Sequence, residues 1–268
     1  MTATVRHVAV CDGSGEFSEP LEAAFPGAGL AGPWHLHVHC HLLFVGARVV
    51  LVDTGTGPPW APAASWFPRP GGLLEALGAE GVSPTDVTDV ILTHLHSDHV
   101  GWSVHGDAAA PLPTFGNARH LVQRVEVARL AAGGPGQRAL HDTHVRPLLD
   151  AGLVETVDGA ATPLPQVSLV PSPGHTTGHQ SVAVDRSDAT LLISGDAFVH
   201  PVQVTDPSAG YVYEDDRAAA IRTRRRILAD ATANPTLLAA AHLEATTALL
   251  EVGADGARLT PVQTCSSA

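Results

Sequence analysis

The chain has 268 residues, 44% hydrophobic and 16% charged, with a formal net charge of −12. This is globular rather than disordered composition, enough for one domain or two. All 15 cationic residues are arginine, which excludes a Schiff-base lysine and a phosphate-loop lysine; the acidic balance argues against nucleic acid or an anionic membrane surface as partner.

The apolar, β-branched runs predict strands over 5–10, 36–45, 48–52 and 87–93, and later over 153–157, 167–171, 180–184 and 190–194. Helices are predicted over 72–77, 118–132, 145–151 and 215–233. Strands precede helices in each half, and no linker separates the halves, so residues 1–268 are expected to form a single domain of two sheets with helices outside. The Pro/Gly-rich stretch 55–72 is a long irregular loop carrying Trp60, Trp66 and Phe67, either a lid over an apolar pocket or a surface loop pinned by its aromatics. Cys11, Cys40 and Cys265 form no C-x-x-C pair, as in a reducing compartment, and no run approaches a membrane span or a signal peptide core; a cytoplasmic protein is expected.

Sixteen histidines direct attention to metal chemistry. Residues 90–102 read VILTHLHSDHVGW: an apolar strand ends at Thr93, and His94, His96, Asp98 and His99 follow at once. His94 and His96 sit two apart in extended chain and share a face, while Asp98 and His99 fall where a helix begins. Four such groups crowded at a strand end would oppose one another's charged forms on desolvation unless a cation held them. Three more donors follow apolar strands: His175 in PSPGHTTGH, Asp196 in LLISGDAF and His242 in LAAAHLE. Imidazole and carboxylate without thiolate suit Zn, Fe, Mn or Co. By contrast, His35, His37, His39 and His41 alternate with apolar residues along a predicted strand and span roughly 20 Å, too far to share one ion; a solvent- or pocket-facing stripe is expected. Arg222, Arg224, Arg225 and Arg226 are expected on a solvated helix face.

The motifs THLHSDHVG, PGHTTGH, SGDAF and AAHL, with LVDTG upstream, resemble in order and over residues ~36–243 those of the metallo-β-lactamase superfamily. The resemblance implies an α+β, four-layer αβ/βα sandwich with a dinuclear site. It places His94, His96 and His175 on one metal, Asp98, His99 and His242 on the other, and Asp196 between them, with Asp53 and His179 supporting the ligands. Catalytic roles fall to Asp98 and Asp196. The cofactors implied are two divalent ions, zinc first, with iron or manganese as alternatives. Finer similarity, through SGDAFVHPVQV, RTRRRIL and PTFGNARHLVQRVE, is to methyl parathion hydrolase-like and acyl-homoserine-lactone-lactonase-like hydrolases. His at position 96, where flavodiiron relatives carry Glu, implies hydrolysis rather than redox chemistry.

The function implied is hydrolysis of a small ester or lactone by a hydroxide shared between the two metals. Alternatives left open are a thioesterase or phosphotriesterase with the same site, a biosynthetic enzyme using the metals as Lewis acids, and a metal-binding protein with little catalysis. Trp60, Trp66, Phe67, Trp102, His200, Tyr211 and Tyr213 are the candidate pocket walls, since aromatics bury large apolar area and tyrosines add a polar handle. The expected partner is a small-molecule substrate, with a homodimer allowed and no nucleic acid or membrane.

Overall fold

A computed structural model describes residues 5–67 and 69–264; Cys265 lies outside them. The chain divides into two compact units, residues 1–15 with 38–159, and residues 16–37 with 160–268.

The sheet of the first unit runs in the order β1 (Arg6–Glu16), β2 (His35–Val45), β3 (Arg48–Val52), β4 (Asp89–Ile91), β7 (Arg119–Gln123) and β8 (Val154–Val157); β5 (Val104–Asp107) and β6 (Ala110–Pro113) form a separate hairpin. From β3 to β8 the pairing is parallel, with Val50 opposite Asp89, Val90 opposite His120 and His120 opposite Val154. The β-branched RVVLV and DVI segments suit this, because central parallel strands are covered on both faces. Leu42, Leu51, Val90, Leu95 and Phe115 meet Leu73 and Leu77 of the Leu73–Ala79 helix in one core.

The second unit's sheet runs β15 (Gly256–Thr264), β14 (Ala245–Gly253), β13 (Thr236–Ala239), β12 (Thr190–Ile193), β11 (Gln180–Asp185), β10 (Val167–Pro171) and β9 (Ala161–Leu164), antiparallel except for β12 with β13. The Arg217–Ala233 helix lays Ile227, Leu228 and Ala231 on Leu192, Leu238 and Leu250. Its first turn is capped by Asp216, whose Oδ1 accepts the Ala219 N–H at 2.9 Å, a cap that contributes about 1 kcal/mol.

Three expectations need correction. Residues 118–132 are a strand followed by the Arg124–Ala132 helix, because His120–Gln123 pairs between β4 and β8 and is buried there. Of the two alternatives for the histidine stripe, the solvent-facing one fails beyond His35: His35 is exposed, but His37, His39 and His41 are not. β2 lies inside its sheet, and His41 stacks on His7 of β1 with Nδ1 3.1 Å from His7 Nε2. Arg224 is fully buried rather than solvated.

Candidate metal centre

In the first unit the four clustered donors follow β4. The His94 ring centroid lies 4.5 Å from that of His96 and 4.1 Å from that of His99. Ser97–Val100 forms a short helical turn, which brings Asp98 Oδ2 to 3.6 Å from His99 Nε2. Asp53, just past β3, organises the group. Its φ of 60° is the left-handed region, disfavoured for an ordinary side chain and retained where surroundings compensate. The compensation is visible: its carboxylate accepts the Thr93 N–H and Oγ1–H, each at 2.7 Å, and the His99 Nδ1–H at 2.8 Å. Because Thr93 gives its only hydroxyl proton to Asp53, it accepts from His94 Nδ1 at 3.1 Å. Both imidazoles therefore commit Nδ1 to the protein and present an Nε2 lone pair, the tautomer a metal ligand needs.

In the second unit, His175 sits in the loop after β10. Gly174 has φ +140°, and a Cβ there would lie 2.2 Å from the Ala220 nitrogen, so only glycine lets the loop press against the Arg217–Ala233 helix. The Asp216 N–H donates to the Gly174 carbonyl at 2.9 Å, the Asp215 N–H to that of His175 at 3.0 Å, and Thr223 Oγ1 to that of Pro173 at 2.7 Å. Asp196 follows β12. Its Oδ2 lies 3.2 Å from His175 Nε2 and its Oδ1 3.2 Å from His242 Nε2. His242, past β13, donates Nδ1–H to the His37 carbonyl at 2.7 Å, which again leaves Nε2 as the free-electron-pair nitrogen. His179 Nε2 accepts the Asp196 N–H at 3.0 Å, and its Nδ1 meets Ser172 Oγ at 2.8 Å. These donor sets fit divalent cations: nitrogen and oxygen atoms, buried, with ring orientation fixed by second hydrogen bonds.

The predicted wall residues fall into two groups. In the first unit, Trp66 Nε1 is 3.3 Å from Ser97 Oγ, one residue from Asp98. Trp60 donates to the Gly106 carbonyl at 2.9 Å and packs on His144, Phe67 is buried against Gly13, and Trp102 packs on the core. In the second unit, the Tyr211 ring lies parallel to His175, with centroids 6.1 Å apart and planes at 9°. Tyr211 also stacks on Phe25 and meets Trp34 edge-on; His200 packs on the same two rings; Tyr213 is half-exposed and donates its hydroxyl to Glu19.

Sequence reasoning passed over several residues here. Phe25 and Trp34 join the aromatic group from a segment distant in sequence, which no local pattern announces. Asp12 is buried and accepts from the Thr56 N–H and Oγ1, each at 2.7 Å, and the Leu73 N–H at 2.9 Å, so it ties both ends of the 55–72 loop. Burial pushes its carboxyl above the usual range, against the pull of those donors. Its only sequence signal is a lone Asp two residues past the apolar run 5–10. Glu126 is buried, accepts the Leu95 N–H at 3.3 Å and pairs with Arg129 at 3.0 Å, supporting the turn between His94 and His96.

Histidine and carboxylate donors at the carboxyl ends of strands, in a chain of mixed sheets flanked by helices, define an α/β protein built to bind metal. Residues 33–242 match the metallo-beta-lactamase superfamily; the chain belongs to that superfamily and has its fold. It is 30% identical over 200 residues to a probable metallo-hydrolase of Mycobacterium tuberculosis, an alignment covering 68% of this chain and 64% of that protein. An N-acyl homoserine lactonase of Bacillus cereus is 28% identical over 172 residues, 59% of this chain and 62% of the relative. The chain thus spans under two thirds of the length of these curated relatives. Among solved structures, AidC, a dizinc quorum-quenching lactonase in complex with a product, superposes with a TM-score of 0.82 at 20% identity over 99% of this chain and 97% of its own. Among the described residues no helix is long and apolar enough to cross a membrane.

Proposed function

We propose that this chain is a metal-dependent hydrolase that uses two divalent ions to cleave a small, mostly apolar ester or lactone. Family membership and the donor chemistry support the coarse part. The observation that carries the dinuclear reading is Asp196, whose two oxygens each lie 3.2 Å from a different imidazole nitrogen. Two ligand atoms about 2.1 Å from one ion, at angles near tetrahedral, stand about 3.4 Å apart. Each oxygen and its histidine would therefore suit one ion as co-ligands, and the carboxylate could serve two. On this reading His94, His96, Asp98 and His99 of the first unit and His175, Asp196 and His242 of the second would supply the ligands for the two ions. Nitrogen and oxygen donors accept zinc first, and iron or manganese as well.

Bound divalent ions supply Lewis acidity and lower the pKa of water from 15.7 to about 7. The chain's own residues do the rest. Asp53 holds the His99 ring by its Nδ1–H, Thr93 holds His94, and the His37 carbonyl holds His242. His179 fixes the backbone from which the Asp196 carboxylate extends. Asp98 would take the proton that the attacking water loses and pass it to the leaving alkoxide oxygen as the acyl C–O bond breaks, so that water adds across that bond to give acid and alcohol. Trp66 in one unit, and Tyr211 and His200 in the other, offer neutral aromatic surface for an apolar group.

The lactone or ester preference draws on the lactonase among the curated relatives and on the absence of lysine for gripping polyphosphates. The expected partner remains a small molecule. The test is elemental analysis together with a hydrolysis panel of lactones, aryl esters, thioesters, phosphotriesters and β-lactams. Close to two ions per chain, lost with activity on chelation, and fastest turnover of lactones or aryl esters are expected. Unchanged activity in metal-free protein would remove the metal reading, and a dominant phosphotriester or thioester activity would replace the substrate.

A further inference from the structure

Arg224 lies in the middle of the Arg217–Ala233 helix and is fully buried. Its guanidinium is spent on one short stretch of chain: Nε donates to the Pro207 carbonyl at 2.9 Å, Nη2 to the Ala209 carbonyl at 3.2 Å and Nη1 to Glu214 Oε1 at 2.5 Å. Gln203 completes the network. Its Nε2 donates to the Ala209 carbonyl and to Glu214 Oε1, both at 3.3 Å, and its Oε1 accepts the Val199 N–H at 2.8 Å and the His200 N–H at 3.4 Å. The segment from His200 to Glu214 is thus gripped at its start, at Ala209 and at its end. Tyr211 falls between the last two grips.

The other side of the Tyr211–His175 stack is anchored to the same place. The Glu214 N–H donates to the Tyr211 carbonyl at 3.1 Å, and one residue on, the Asp215 N–H donates to that of His175. The buried network therefore sets the tyrosine ring relative to the histidine. A buried ion pair is a poor device for stability alone, since desolvation offsets most of its attraction, and its better-attested use is to fix one arrangement. Arginine suits this because its planar fork makes three directed bonds that a lysine point charge cannot.

We infer that Arg224 is a positioning residue which, through Glu214 and Gln203, seats Tyr211 beside His175 as the wall that receives the apolar part of the substrate. This rests on the proposed hydrolase reading for its substrate, but not for its geometry. Tyr211 and Tyr213 are the only two tyrosines in the chain, so a fluorotyrosine-labelled protein gives two ¹⁹F resonances, assigned by Tyr213→Phe.

The experiment compares metal-loaded wild type, Arg224→Lys, Tyr211→Ala and the double variant. In folded Arg224→Lys the Tyr211 resonance is expected to move by more than its linewidth. KM for apolar esters or lactones should rise about tenfold, the scale of a lost apolar contact, with kcat and metal content held. The double variant should match Tyr211→Ala alone, because residues acting through one another are non-additive. Glu214→Gln, which keeps shape and drops the charge, should shift the same resonance and serves if Arg224→Lys does not fold. An unmoved Tyr211 resonance, or KM effects that multiply in the double variant, would overturn the inference. If wild type cleaves nothing on the panel, the hydrolase reading fails, while the ¹⁹F comparison still decides the positioning role.

Discussion

Acidification from pH 7 to pH 5 should cost this protein several kcal/mol through two buried histidines that are not among the metal donors. His120, in β7, and His144 are both fully buried, and burial lowers each ring from 6.5 to about 4. His120 Nδ1 has the Ala118 carbonyl at 3.2 Å and His144 Nδ1 has Thr143 Oγ1 at 2.7 Å, and among the described residues no carboxylate contributes to either shift. Between pH 6.5 and about 4 the unfolded chain binds protons that the folded chain refuses. Stability therefore rises with pH across this window and is lost as pH falls through it. From these two values the loss between pH 7 and pH 5 is about 2 kcal/mol per histidine, or about 4 kcal/mol for both. That is a large share of the ~5–15 kcal/mol that holds a typical domain folded. Urea unfolding at both pH values, in chelator so that metal release does not contribute, should show it. The His120→Phe/His144→Phe variant, similar in size and without the titration, should lose about 4 kcal/mol less than wild type on acidification. An equal drop in both proteins would refute the reasoning.

Other outcomes follow from the site. Asp53→Ala frees the His99 ring, and metal affinity measured by competition with a chromophoric chelator should fall about 10–100-fold; unchanged affinity would mean that another group orients His99. His37→Ala should leave metal content intact, because the His37 carbonyl and not its ring holds His242; loss of metal would return the histidine stripe to the ligand set. Gly174→Ala places a Cβ 2.2 Å from the Ala220 nitrogen at φ +140°, so a lower melting temperature is expected, and a cost above about 2 kcal/mol fits a clash joined to backbone strain. Trp66→Ala, beside Ser97, should raise KM for apolar esters with metal retained, and an unchanged KM across the panel would remove Trp66 from the substrate wall.

Much of the donor chemistry is local in sequence and could be read there. The run from His94 to His99 announces itself because metal ligands need fixed spacing at a strand end, and Asp53, His175, Asp196 and His242 each follow an apolar run. What positions those donors is not local. The grip of Asp12 on Thr56 and Leu73 and of Glu126 on Leu95 joins residues remote along the chain. Arg224 was hidden by its neighbours: a run of arginines reads as one solvated face, although successive helical residues point in different directions and only one of these meets Glu214. Residues 119–123 read as the first turn of the helix that follows, until the parallel ladder with β4 and β8 claims them. The β14–β15 hairpin turns through Ala254 and Asp255, with Gly253 paired to Gly256 across it, so glycine flanks the turn between two β-prone runs.

That Asp196 would join two ions through its separate oxygens is the proposal on which the function rests. Its most direct test is the metal content of Asp196→Ala and wild type, purified alike and dialysed against the same trace-metal buffer. Wild type should hold close to two ions per chain, and the variant, still folded by circular dichroism, one or none. Equal content in the two proteins, or a wild type without transition metal, would contradict it.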